Sequence, residues 1–147
     1  MKSLWNPRLH DTIVSRVASL SPGLQPKWGR MTCLQMVVHV TDAFAMYCGD
    51  LPVAVKHTPI EYFPLKHAFL YVVPMPKNVP TARELKLRVA GNWEAEVSRL
   101  RQAIRQFESR RCCTDWPLHP IFGHMSQRAY GVLAYKHTDH HLRQFGV

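Results

Sequence analysis

The amino-acid sequence predicts an all-α protein, a four-helix bundle with a long crossover connection between its second and third helices. Four segments carry apolar residues at three- and four-residue spacing, and each begins at a residue suited to cap a helix. The connection between the second and third segments holds six of the eleven prolines, and no segment shows a β pattern of comparable strength. The length of 147 residues predicts one domain, spanning residues 1–147.

The first two helices begin at recognisable caps. Asn6 precedes a proline, which fits an N-cap followed by the first helical position, and the helix is predicted over Pro7–Leu20. The second helix begins at Thr32, which forms a T-x-x-Q capping box with Gln35, and it continues to about Cys48. This second helix is apolar almost all round, so we expect it to be buried on several sides.

The proline-rich connection after the second helix excludes one long helix or a central strand. Within it, "PLKHAFLYVV", beginning at Pro64, fits either a short helix or a buried strand, and its periodicity does not decide between them. We favour a short helix that lies across the bundle, because bundles with long crossovers contain such segments.

The third and fourth helices are predicted from caps and apolar stripes. Thr81 and Glu84 form a second capping box after Pro80, and an apolar stripe then runs to a helix end at about Ser109. Its members are Leu85, Val89, Trp93, Val97, Leu100, Ile104 and Phe107. The fourth helix begins after Ser126 as N-cap and ends at about Phe145.

Charge and hydropathy limit the function classes. The formal charge of +9 raises the question of nucleic-acid binding, but the basic residues are spread along the chain and no recognition motif accompanies them. A solvated basic surface, including Arg99, Arg101 and Arg105 on the third helix, is the simpler interpretation, and we expect no nucleic-acid partner.

The most apolar window, "MVVHVTDAFAMYC", is too short to span a bilayer, and the start of the chain lacks a signal-peptide pattern. We therefore expect a cytoplasmic protein with no membrane partner. The four cysteines form no C-x-x-C pair, which predicts reduced thiols.

Histidines are concentrated in "LAYKHTDHHLRQF", beginning at Leu133. His137 and His141 are four residues apart and therefore share one face of the fourth helix, while His140 lies at its margin. Their face also carries apolar residues and the opposite face is charged, with Arg128, Lys136, Asp139 and Arg143. We expect His137 and His141 to point into the bundle.

Two imidazoles one helical turn apart are the spacing that helical metal sites use. The third ligand is predicted to be His39, which lies in the middle of the apolar second helix, where a charged and unpartnered imidazole is costly. The alternative is a hydrogen-bonded core histidine with no metal, which is the commoner role of a single histidine in an apolar helix. Spacing leaves both open.

Polar residues near these histidines are candidates for supporting the ligands or contacting a substrate, and a structural role explains each of them equally well. They are Gln35, Asp42, Tyr130, His140 and Gln144. His119 and His124 precede the last helix and are candidates for the mouth of a pocket, whereas Phe122 and Gly123 are expected to shape the turn between them.

Three stretches carry a resemblance to a known family: "WGRMTCLQMVVHVTDA", "PKNVPTARELK" and "HPIFGHMSQRAYGVLAYKHTDHHLRQFGV". They resemble the DinB-like (YfiT-like) metalloenzymes, specifically an uncharacterised branch with W-G-x-M-T-x-x-Q-M-x-x-H near the first third and H-P-x-F-G, then H-x-x-H-H-x-x-Q-F-G, at the end. The resemblance covers most of the chain and is weak between Leu51 and Met75 and around "ESRRCCTD".

The resemblance implies a bundle in up-down-down-up order with one divalent metal ion, held by His39, His137 and His141. His140 is then a flanking residue or a substitute ligand. Relatives with known activities are thiol-dependent transferases and isomerases that use mycothiol, bacillithiol or glutathione, and this branch has no assigned reaction.

The histidine pattern predicts a metal-dependent enzyme that uses zinc or nickel. The resemblance implies that it is a thiol-dependent transferase or isomerase, or a hydrolase-like enzyme, that acts on a small molecule with a low-molecular-weight thiol as cofactor. The catalytic residues are unassigned. The alternative is a non-catalytic helical module that binds a partner or forms a homodimer, with the histidines as a vestigial or structural metal site.

Overall fold

A computed structural model of the chain describes residues 1–77, 82, 84–86 and 88–147. Over this part of the chain the fold is all-helical and contains no strand, which confirms the predicted class; an isolated bridge joins His119 and Gly123. The helices are α1 (Pro7–Ala18), α2 (Cys33–Cys48), α3 (Leu65–His67), α4 (Trp93–Ser109) and α5 (Gln127–Gln144).

Three of the predicted caps are present. The Asn6 side chain accepts a hydrogen bond from the backbone of α1, and Ser126 does the same for α5. At the start of α2, the Gln35 backbone N–H donates to Thr32 Oγ1 over 3.2 Å, and the Gln35 side chain returns a bond to the Thr32 backbone over 2.9 Å. α1 ends at Ala18, two residues before the predicted end at Leu20.

The proline-rich connection contains a short helix, as favoured by its sequence, and no strand among its described residues. α3 continues directly into a π-helical turn, Ala68–Val72, which packs against α5. Lys136 of α5 donates from its ammonium group to the carbonyl oxygens of Phe69 and Val73. These bonds fix the crossover segment to the last helix.

The predicted start of the third helix is wrong. The helix begins at Trp93, where the Asn92 side chain accepts from the Ala95 N–H over 2.9 Å, and Glu84 lies in a separate 3-10 turn, Glu84–Lys86. Val89, expected in the apolar stripe, is 87% exposed. Pro80 and Thr81, the other residues of the predicted capping box, lie outside the described residues.

A buried carboxylate explains why the helix begins so late. Glu96 is completely buried and accepts from the Gly91 backbone over 2.9 Å, from Arg88 over 2.7 Å and from Arg99 over 2.7 Å. Burial opposes its ionisation, but the hydrogen bonds and charges of Arg88, Gly91 and Arg99 hold the pKa of Glu96 below its usual range. Glu96 therefore holds the Gly91 N–H and the Arg88 side chain against the start of the helix, and Asn92 between them and Trp93 is extended.

α2 lies between other helices, which accounts for its apolar surface. It packs against α4 and α5, α1 packs against the same two helices, and all four contribute to one hydrophobic cluster. Cys33 and Cys48 are buried in α2, and burial raises the pKa of each thiol to about 11. All four cysteines are free thiols, as predicted.

The basic surface of the third helix is solvated as expected, since Arg99, Arg101 and Arg105 are exposed. In the described part of the chain, no helix combines the length and the apolar character that crossing a bilayer requires.

Candidate metal centre

Three imidazole rings converge between α2 and α5. Nε2 of His137 lies 3.1 Å from Nε2 of His39 and 3.2 Å from Nε2 of His141. One ligand atom from each ring lies within 4.8 Å of the others, so the group could hold a metal ion. Nitrogens at zinc-bonding distance in a tetrahedral site are about 3.3 Å apart, which is close to the two separations seen here.

The ring positions follow from the two helices. The four-residue spacing places His137 and His141 on one face of α5, as the sequence predicts. The packing of α2 against α5 then brings His39 opposite them, with only 6% of its surface exposed. His141 is 8% exposed and His137 is half-buried.

Burial keeps two of these imidazoles, His137 and His141, neutral. It lowers the pKa of His137 well below its usual range, and the neighbouring His141 and His39 lower it further. Burial also lowers the pKa of His141 to about 4, an effect that its hydrogen bond to Gln144 partly offsets. Neutral imidazole is the form that binds a metal ion, so these two rings are ready to act as ligands at neutral pH.

Gln144 fixes the orientation of His141. Nδ1 of His141 lies 2.9 Å from Gln144 Oε1, while Gln144 Nε2 donates to the Trp28 carbonyl over 2.7 Å. Because the amide nitrogen is engaged with a carbonyl, the amide oxygen faces the ring and accepts from Nδ1–H. The lone pair of Nε2 is then directed at the other two histidines, an arrangement typical of metal-binding histidines.

Tyr47 makes the equivalent contact with His137, and sequence reasoning missed it. Its hydroxyl lies 3.1 Å from Nδ1 of His137, and burial raises the pKa of this phenol, so it remains protonated. When the phenol oxygen accepts from Nδ1–H, Nε2 of His137 is free to bind an ion. Tyr47 lies two turns after His39 on α2, so extending the row from His39 at four-residue spacing would have found it.

The other predicted neighbours take different positions. Gln35 is exposed and its side chain caps α2. Asp42 binds the guanidinium of Arg88 over 2.8 Å. Tyr130 donates to the Pro117 carbonyl over 2.8 Å and reaches the centre only through its ring contact with Tyr47.

His140 is closer to the group, although it is not one of the three converging residues. Its ring centroid lies 5.2 Å from that of His141 and 5.6 Å from that of Trp28, and it is half-buried. Of the five predicted flanking residues, His140 and Gln144 therefore contact the candidate ligands directly.

His119 serves the turn before α5. It is 6% exposed, and its Nδ1 accepts from the backbone N–H groups of Ile121 at 3.1 Å and Phe122 at 3.2 Å. Gly123 has a φ of 59°, in the left-handed region that favours glycine, which agrees with its predicted role in the turn. His124 is exposed.

We expect acid to destabilise the protein through His119. Burial, aided by the charge of Lys66, lowers its pKa from 6.5 to about 3, so below pH 6.5 the unfolded chain binds a proton that the folded side chain resists. The free energy of unfolding then falls as pH decreases, by about 2 to 3 kcal/mol between about pH 6.5 and about pH 4.5. Urea denaturation of the wild type and of His119→Asn measures it, since asparagine can accept the same two backbone bonds without titrating.

The wild-type stability should decrease more steeply with acid than that of the His119→Asn variant, because both proteins share every other titrating group. Parallel curves for the two proteins would show that His119 is not held neutral by the fold.

Two cavities flank Arg88, and the candidate ligands do not line either of them. One has a volume of about 360 Å³ and lies between α2 and α4, where Arg99 and Gln106 contribute to its wall. The other, of about 400 Å³, is bounded by Asp42, Leu51 and Pro52. His140, which contacts His141, and Trp28, which contacts His140, are both half-buried.

Helices packed around one core, with a buried three-histidine group that could hold an ion, define the class: a helical protein with a candidate metal centre. The chain belongs to the family described as "Protein of unknown function (DUF1569)", whose sequence model matches residues 65–146, more than half of the 147 residues. His137 and His141 lie inside the matched segment and His39 lies before it. No curated protein and no solved structure matches the chain.

The family description names no activity, which agrees with the expectation of an uncharacterised branch.

Proposed function

We propose that this protein is a metal-dependent enzyme of the DinB-like type, a four-helix bundle in up-down-down-up order whose single domain holds one divalent ion. The convergence of three imidazoles from α2 and α5, with burial lowering the pKa of His137 and of His141, is the observation that carries this proposal. The ligands are His39, His137 and His141, and Gln144 and Tyr47 set the orientation of two of them.

Zinc and nickel are the proposed ions, because both accept imidazole nitrogen readily and the described group offers no thiolate or carboxylate. Three protein ligands leave a coordination position for water or substrate, and a bound ion acts there as a Lewis acid that lowers the pKa of whatever oxygen or sulfur it holds. The surrounding core supplies a site of low polarity, in which charge interactions are strong.

A low-molecular-weight thiol is the proposed co-substrate, since the chain's own thiols are not placed for the task. Cys33 and Cys48 are buried with raised pKa values, and neither of the exposed thiols, Cys112 and Cys113, belongs to the three-histidine group. A nucleophilic sulfur at this site therefore has to come from a bound small molecule. The reaction we propose is thiol transfer to an electrophile, or an isomerisation that passes through such an adduct.

A thiol-transfer assay tests this function. Protein loaded with zinc or nickel is mixed with 1-chloro-2,4-dinitrobenzene and with glutathione, bacillithiol or mycothiol in turn. We expect loaded wild-type protein and a loaded His124→Ala control to accelerate the consumption of one thiol to the same extent. Metal-free protein and His141→Ala should not accelerate it. Fully loaded wild-type protein that accelerates none of the three reactions would contradict the proposal.

One observation favours a non-catalytic module as the second candidate. The crossover segment exposes apolar side chains, with Tyr62 at 64%, Phe63 at 83% and Val72 at 73% exposure. A partner-binding or homodimer-forming role would use this surface and leave the histidines as a structural metal site. Sedimentation of the wild type and of Phe63→Ser distinguishes the two, because only a dimer that uses this surface weakens in the variant.

A further inference from the structure

A cation and an aromatic ring lie beside the metal centre without a role in the proposed function. The Lys77 ammonium lies over the Trp28 ring, 4.3 Å from its centroid. The Trp28 ring meets His140 edge-on at 5.6 Å, and the His140 ring is 5.2 Å from that of His141. These contacts form a continuous path from the candidate ligands to an exposed lysine.

A divalent ion held by the three histidines would favour a ligand that carries negative charge. An imidazole that binds a metal ion through nitrogen is uncharged, so the three candidate ligands would not offset the charge of a divalent cation. Asp42 is the single acidic residue of α2, and it is bound by Arg88 at 2.8 Å. Asp139 is the single acidic residue of α5, and it is bound by Arg16 at 2.6 Å and by Arg143 at 3.0 Å.

A negatively charged ligand would compensate a bound ion where these two carboxylates do not, because a buried charge without a partner is strongly disfavoured.

A second donor lies next to the lysine. Nε1 of Trp28 is buried and has no hydrogen-bond acceptor among the described residues. A buried indole N–H usually finds an acceptor, so an oxygen atom of a ligand would complete this one. An ammonium group and an N–H donor together favour an oxyanion, which accepts from both.

We propose that Lys77, Trp28 and His140 form an anion subsite beside the metal centre. It binds a carboxylate of a small-molecule substrate whose other end reaches the three histidines. The inference rests on the proposed function and narrows its substrate class to small molecules with two separated polar ends, at least one of them a carboxylate.

Two four-carbon probes test the subsite: succinate, with a carboxylate at each end, and butyrate, with one. Calorimetric titration of zinc-loaded wild-type protein should show succinate binding about five- to tenfold more tightly than butyrate, as a charge-assisted contact at one end predicts. Lys77→Gln should reduce this preference to about twofold or less, and Trp28→Phe, which keeps the ring and removes the N–H, should reduce it by about threefold.

Lys2→Gln is the matched control. Lys2 also lies over an aromatic ring, 5.9 Å from the centroid of Tyr135, and its replacement changes the net charge by the same amount. It should leave the succinate preference unchanged. If both lysine variants lost the succinate preference equally, the effect would come from the net charge of the protein and not from Lys77, and the subsite would be overturned.

Zinc content measured on every variant separates the two proposals. Wild-type protein that binds zinc but does not prefer succinate overturns the subsite alone. Wild-type protein that binds no zinc overturns the metal centre and the subsite with it. Loss of zinc in Lys77→Gln would also overturn the subsite, because the lysine would then act on the metal centre rather than on the anion.

Discussion

Replacing His141 by alanine should weaken zinc binding by more than about 100-fold, because the ion loses one of three protein ligands and one side of its cage. The same result is expected for His39→Ala, which removes the candidate ligand on α2. Competition with a zinc-binding dye, on protein purified without a histidine tag, measures the affinity. His140→Ala and His124→Ala are matched controls, since each removes a histidine that does not belong to the converging group, and both should retain zinc.

A graded series strengthens this prediction. Tyr47→Phe and Gln144→Leu leave the three ligands in place and remove the hydrogen bonds at their outer nitrogens. Changes of this kind weaken metal binding by about 10- to 100-fold, less than the loss of a ligand. Circular dichroism should show that each variant is folded. Full zinc affinity in His141→Ala, or equal losses in His140→Ala, would remove the assignment of these residues as ligands.

Gly131→Ala should destabilise the protein by about 3 kcal/mol or more, because the N-terminal segment crosses α5 directly over this position. A Cβ at Gly131 would lie 2.1 Å from two atoms of the Trp5 indole and 2.6 Å from Ser3 Oγ. Moving Trp5 away breaks its hydrogen bond to the Gln127 carbonyl, 2.8 Å, and its stacking on Phe107, 4.6 Å between centroids. The Leu4 N–H also donates to the Gly131 carbonyl over 2.8 Å.

Thermal unfolding measures the effect, and we expect the midpoint to fall by about 10 °C. Gly23→Ala is the control, because a Cβ there meets nothing within 4 Å. A Gly131→Ala protein as stable as Gly23→Ala would show that the N-terminal segment does not pack over α5.

Local sequence rules correctly predicted the starts of the three helices whose N-cap residue depends on neighbouring residues alone. Asn6, Thr32 and Ser126 all cap a helix as expected, because each side chain accepts from the backbone N–H three residues later. The start of the third predicted helix was wrong because it depends on tertiary contacts and not on neighbouring residues. It depends on the buried Glu96, whose partners Arg88 and Gly91 lie before the helix and whose burial depends on tertiary packing.

For the candidate site too, local spacing predicted some features, and the packing of the helices decided the others. Helical spacing alone places His137 and His141 on one face, and the apolar surroundings of His39 indicate that it is buried. That the three rings meet depends on how α2 packs against α5, which spacing does not specify. In the sequence, Tyr47 looks like an ordinary aromatic residue of the core. Only its contact with Nδ1 of His137 shows that it can orient a candidate ligand. Gln35, in contrast, satisfies its capping box and stays at the surface.

Anomalous X-ray scattering from crystals of untagged protein, supplied with zinc or nickel in turn, tests the central claim most directly. We predict one peak per chain, about 2.0 to 2.1 Å from ring nitrogens of His39, His137 and His141 when zinc is bound. The absence of a peak between α2 and α5 at saturating metal, or a peak held by other residues, would contradict the assignment of these histidines as a metal centre.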